Sequence, residues 1–198
     1  MKTGVGILVL AACFVLSPMA AWANWKAVEK VETYSITGKS GPELYASIGE
    51  RGPKASVGRA IAHTNFKLTW IRDYQPQGDG CTLVTARPKL TITYMLPKPS
   101  QKLPAPIKRN WDTFIAGVEA HEIVHGDQIK DMVKAIEATS VGLSVPNDPN
   151  CTKVREELQQ RLGKLSMEQR QRSRDFDRVE LSNGGNIHQL ILNLVNGG

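Results

Sequence analysis

His121, Glu122 and His125 stand in the stretch "VEAHEIVHGDQ", residues 118–128, which holds two of the four histidines of the chain. On an α-helix four residues turn the chain by about 400°, so the two imidazoles lie on one face, one turn apart, and can reach a single ion. Glu122 is rotated by about 100° from His121, so its carboxylate can reach a water on that ion without being a ligand itself. The chemistry that needs this spacing is metal-assisted hydrolysis. Zinc lowers the pKa of a bound water toward about 7, and a carboxylate takes the proton as the water attacks a polarised carbonyl. The plainer reading is a pair of solvated histidines on an ordinary helix, and the surroundings of the motif must decide between the two.

A catalytic zinc site keeps three protein ligands and an open position. Glu119 and Asp127 are too near on the same helix to complete a tetrahedron easily. Asp177 and Glu180, three residues apart on one face of a later helical stretch, are better placed. His188 falls in an apolar tail, where a satisfied or exposed histidine is the expected state. His63 lies on the polar face of an alternating strand.

The motif helix begins after Pro106, with Trp111, Phe114, Ile115, Val118, Ile129, Met132, Val133 and Ile136 recurring at spacings of three and four, and it ends near Gly142 and Pro146. A last helix runs from about Thr152 to Glu180. "SNGGN" stops it, and "IHQLILNLV" follows as a short apolar tail. Ahead of these lie a strand from Val31 to Ile36, a turn at Gly38 and Gly41, and a helix starting near Pro42. In "IAHTNFKLTW" Phe66, Leu68 and Trp70 share one face and His63, Asn65, Lys67 and Thr69 the other. "DYQPQGDG" reads as a loop. "CTLVTA" and "KLTITYML" read as strand, the latter with Leu90, Ile92, Tyr94 and Leu96 on one side. The prolines of residues 97–106 predict a linker, because they remove ladder donors. The order predicts an α+β fold: a small antiparallel sheet with one face buried, then the long motif helix and a second C-terminal helix.

Length and composition, 198 residues with 41% hydrophobic content, suit one globular domain. The N-terminus has a lysine, an apolar run, and Ala21 and Ala23 in an A-x-A arrangement. This predicts a secretory signal peptide over residues 1–23, leaving residues 24–198 as a single mature domain. The apolar run is short and broken by Pro18, which argues against a retained membrane span. "LAAC" at residues 10–13 resembles a lipoprotein box that would lipidate Cys13, but "FVL" continues the apolar run beyond it. Removal of residues 1–23 takes Lys2 with it and leaves 24 basic against 19 acidic side chains, a net of +5. The basic residues concentrate in "KVREELQQRLGKLSMEQRQRSRD", among glutamates and without interleaved aromatics, so nucleic acid is not an expected partner. Two cysteines remain, Cys81 and Cys151. In an exported chain they predict one disulfide closing a loop of about seventy residues.

The order "YSITGKSGPELYASIGERGP", a Trp-ended strand, Gly80-Cys81, a strand ending in "LP", Trp111, "HEIVHGDQ", a second cysteine and "FD" resembles a bacterial family of uncharacterised exported domains, described as predicted secreted zinc-dependent proteases. The resemblance spans about Val31 to Glu180. It implies a zincin-like architecture in which His121 and His125 bind Zn2+, Glu122 acts as base and the substrate is a peptide or protein. In such folds the strand nearest the active helix takes an extended peptide as an added strand, and "KLTITYML" is the candidate here. The family pattern carries a Tyr-Asp pair followed by a Thr and a His-Gly dipeptide. This chain has Phe176-Asp177, then Glu180, then Ser182-Asn183. The retained Asp177 is the expected third ligand, with Glu180 next. Two functions follow as expectations: a periplasmic or secreted zinc metallopeptidase, or a non-catalytic envelope protein that keeps the fold, with or without the zinc. A zinc enzyme acting on a non-peptide bond is a third.

Overall fold

The fold is organised on one long strand, β3, Gly80–Pro99, which lies at the centre of the sheet in the computed structural model of residues 25–54 and 58–197. Residues 1–23, where a signal peptide is expected, and Cys13 among them lie outside the described residues. β2, His63–Gln77, pairs antiparallel with β3 along its whole length, from His63 opposite Met95 to Gln77 opposite Gly80. Only Gly78 and Asp79 make the turn between them, with Gly78 at φ 61°, a conformation that glycine adopts without penalty. The expected loop at residues 73–80 is therefore mostly strand. A bulge between Asp73 and Tyr74 absorbs the irregular pairing there.

β1, Val28–Ile36, pairs with β3 in parallel, Val28 opposite Thr91 and Ile36 opposite Pro99. The sheet is thus mixed, not antiparallel as expected. Alternation records which face a residue occupies and says nothing about strand direction. A parallel neighbour needs a long crossover, which α1, Gly41–Arg51, and β2 supply between them. The strand also runs past its expected end into Pro97 and Pro99. β2 begins at His63, opposite Met95, so beyond that point β3 pairs with β1 alone. Ser100 donates its backbone N–H to Ile36. Alternate residues of a parallel pair face the same neighbour, so the nitrogens of Pro97 and Pro99 face the vacated side, where no donor is needed.

The helix α2, Ala105–Ser140, lies across the inner face of the sheet, antiparallel to β3: Leu96 clusters with Trp111, Phe114 and Val118, and Leu90, Ile92 and Tyr94 with Ile129, Met132, Val133 and Ile136. Gly126 lets it approach closely, since a Cβ there would stand 2.1 Å from the Tyr94 hydroxyl. α3, Lys153–Leu181, packs against α2, with its first half over the disulfide end of the sheet. There the short strand β4, Ser144–Val145, pairs with Cys81 and Thr82. The Cys81–Cys151 disulfide forms as expected, across a sequence separation of 70. Residues 186–196 are not an apolar tail. They form α4, Asn186–Asn196, whose Ile187 and Leu194 are buried in the cluster shared by α1 and the first half of α2. Apolar residues at helical spacing bury one stripe only when a neighbour covers it. α1 and α2 supply that cover.

Candidate metal centre

α2 and α3 run antiparallel, so their contacts step in opposite order along the two chains. Ser173 meets Gln128 and His125, Asp177 meets both His121 and His125, and Glu180 approaches His121. Both histidines are placed by the helical period and kept from water by α3, with His121 8% and His125 12% exposed. Asp177 remains 42% exposed and forms the open side of the cluster.

Three donor atoms converge. His121 Nε2 lies 3.1 Å from His125 Nε2, and Asp177 Oδ1 lies 3.2 Å from the first and 2.8 Å from the second. Ligands 2.0 to 2.1 Å from a tetrahedral zinc stand about 3.3 Å apart, so the triangle is close to the size that such an ion requires. The hydrogen bonding around His125 fixes which nitrogen faces inward. Ser173 Oγ donates its single proton to Gln128 Oε1 at 2.9 Å and accepts from Gln169 Nε2 at 3.0 Å. Its remaining lone pair can only accept, from His125 Nδ1–H at 3.3 Å. His125 thus carries its proton on Nδ1 and offers the Nε2 lone pair to the cluster. With the His121 proton on Nε2, that N–H sits between His125 Nε2 and Asp177 Oδ1; with it on Nδ1, two imidazole lone pairs and a carboxylate oxygen meet at one spot, which suits a metal ion.

The electrostatics suit a positive charge there. Burial would lower the pKa of His125, but the hydrogen bond and the charge of Asp177 outweigh it and raise it. Burial would likewise raise Asp177, and the two histidines hold its carboxyl well below the usual carboxylate range instead. Phe176 stacks on the His121 ring, centroids 4.7 Å apart and 19° between planes, and meets His125 edge-on.

Glu122 is 5% exposed and points away from α3 toward the sheet. Its Oε2 accepts from the Thr64 hydroxyl of β2 at 2.6 Å, and the same hydroxyl lies 3.1 Å from its backbone carbonyl. The structure therefore brings together His121, His125 and Asp177 as a group that could hold a metal ion, with Glu122 next to His121 on α2. Glu180 does not join the inner triangle, lying 3.7 Å from Nδ1 of His121, the nitrogen turned away from it. His188 is occupied elsewhere, accepting from the backbone N–H of Gly184. His63 is solvated on the outer face of β2, as its alternation implied.

"KLTITYML" cannot accept an added strand, because β3 is flanked by β1 and β2 over residues 91–95. β2 is an edge strand of the sheet and touches the motif helix through Thr64. Thr64, Ser173, Gln128 and Gln169 join the site without having been expected there. Thr64 had a signal: it is a polar residue on the apolar face that carries Phe66 and Leu68. Ser173 had another, since it precedes Asp177 by four residues and shares its helix face.

Among the described residues no helix is long and apolar enough to cross a membrane. The chain matches no curated protein and no solved structure. Residues 31–185, which hold the whole site, match the model of the family described as "Bacterial protein of unknown function (DUF922)", and the chain belongs to that family.

Proposed function

We propose that the protein is an exported zinc-dependent metallopeptidase, with His121, His125 and Asp177 as the residues that would hold the ion. The observation that carries this reading is the convergence of two imidazole nitrogens and one carboxylate oxygen at mutual distances of 2.8 to 3.2 Å on a half-open site. Two imidazoles and one carboxylate are the donor set of known catalytic zinc sites, and such a set leaves a position free. When bound, zinc would acidify a water and polarise a carbonyl. Glu122 would receive the proton, as the carboxylate adjacent to the ligand His121. Thr64 engages only its Oε2, and among the described residues no side chain bonds Oε1. The Thr64 contact also sets Glu122 beside the edge strand β2, where an extended peptide could add through main-chain hydrogen bonds. The disulfide supports export, since such bonds persist in oxidising compartments.

The test uses purified residues 24–198 and an unstructured protein substrate. Glu122→Gln should lower hydrolysis by about 10²- to 10⁴-fold, the range of general-base catalysis, while zinc content stays near one per chain. Full activity in that variant would sink the mechanism. Stoichiometric zinc without hydrolysis by the unaltered chain would favour the non-catalytic reading instead.

A further inference from the structure

His121 differs from His125 in what lies behind it. The Nδ1 of His121 is buried and has no hydrogen-bond partner among the described residues. A ligating imidazole gives the metal one nitrogen and keeps its proton on the other, and that proton needs an acceptor. His125 has one in Ser173. For His121 the structure offers Glu180, whose Oε2 stands 3.7 Å from Nδ1. That oxygen also accepts from the side-chain amide of Asn186, at 3.2 Å, the first residue of α4. Glu180 is thus anchored from the second helix junction and aimed at the one unpaired nitrogen of the cluster.

We propose that Glu180, held by Asn186, is a positioning residue of the metal centre: it takes the Nδ1 proton of His121, presents Nε2 to the ion and raises its basicity. The proposal rests on reading the three-donor cluster as a metal centre. Phe176 covers a face of the His121 ring and restrains its tilt, but stacking leaves rotation within the ring plane free. An acceptor at Nδ1 removes that freedom. Direct ligation by Glu180 does not fit, because its carboxylate meets the far side of the ring while Asp177 Oδ1 lies within 3.2 Å of both inward nitrogens. A fold that reads as a terminal tail in the sequence thereby reaches the centre, through Asn186 and Glu180.

The experiment measures Zn2+ affinity by competition with a chromogenic chelator, for the unaltered chain and for Glu180→Ala, Glu180→Gln, Asn186→Ala and Asp177→Ala. Thermal unfolding of each metal-free protein serves as the control. Glu180→Ala should weaken zinc binding about 10- to 100-fold, the usual cost of losing such an outer partner, with the metal-free unfolding midpoint unchanged. Glu180→Gln and Asn186→Ala should fall between it and the unaltered chain, and Asp177→Ala should lose more than any of them. Unchanged affinity in Glu180→Ala would overturn the proposal, as would a loss equal to that of Asp177→Ala, which would make Glu180 a ligand. If the unaltered chain binds no zinc, the metal centre and this proposal fail together. A graded series in a protein that cleaves no peptide leaves the positioning role standing and removes only the peptidase.

Discussion

Single side chains at this site are held by neighbours from distant parts of the chain. Ser173 commits the Nδ1 proton of His125, Asp177 supplies the negative charge between the rings, and Thr64 secures Glu122 from 58 residues away in sequence. The Thr64 bond is the one most exposed to a simple test, because valine has nearly the same shape and no hydroxyl. Thr64→Val leaves a buried carboxylate with one donor fewer, and losses of this kind cost about 1 to 3 kcal/mol. Urea unfolding of the metal-free protein should report a decrease in that range. Hydrolysis should fall as well, since Glu122 loses the group that sets its rotamer.

Elements are held at their ends and at points of close approach. α2 begins at Pro104 with no side-chain cap and ends without basic residues in its last turn, so its 36 residues depend on packing against the sheet and on neighbouring helices. Tyr94 illustrates that packing. Its hydroxyl sits over Gly126 and donates to Glu29 Oε2 at 2.5 Å, and Lys130 of α2 donates to the other oxygen of Glu29, joining β1, β3 and α2. α3 is started by a residue that precedes it. Thr152 occupies the cap position but makes no side-chain bond. Asp148 instead accepts from the backbone N–H groups of Thr152, Lys153 and Val154 at 2.8 to 3.1 Å. Burial acts to raise its pKa, and those three donors outweigh it, so the folded value lies below the ordinary 3.8. Folding therefore favours the ionised form. The stabilisation is in full force above the unfolded pKa and is lost as pH falls through the folded one. Asp148→Asn should unfold a few degrees lower at neutral pH, and calorimetry should show the difference from the unaltered protein shrinking below about pH 4.

At the scale of the whole molecule, the disulfide and α4 close the structure at opposite ends of α3. Cys81–Cys151 pins the start of β3 to the start of α3, and Asn186 ties the start of α4 to Glu180 at the other end. The loop that the disulfide closes, with a sequence separation of 70, corresponds to about 4.4 kcal/mol in the loop-entropy model. Replacing both cysteines by serine should lower unfolding free energy by about that amount in denaturant titrations. Zinc affinity should hold in conditions where that variant stays folded, because the donors lie toward the far end of α3.

The sequence by itself determined the motif helix α2, the helix α3 and the face that each presents, because helical periodicity is local and strong. Two histidines four residues apart share a face wherever they lie, and Asp177 with Glu180 share another. It determined the alternating faces of β2 and β3 and, through two cysteines in a chain that reads as exported, the disulfide. Tertiary structure decided what depended on neighbours in space. It set β1 parallel to β3, since alternation carries no direction. It let β3 run through Pro97 and Pro99, since only the loss of β2 makes the missing donors harmless. It made a helix of residues 186–196, since α1 and α2 cover their apolar stripe. The antiparallel packing of α2 on α3 also separated two acidic residues on one helix face, bringing Asp177 to Nε2 of His121 and Glu180 to Nδ1.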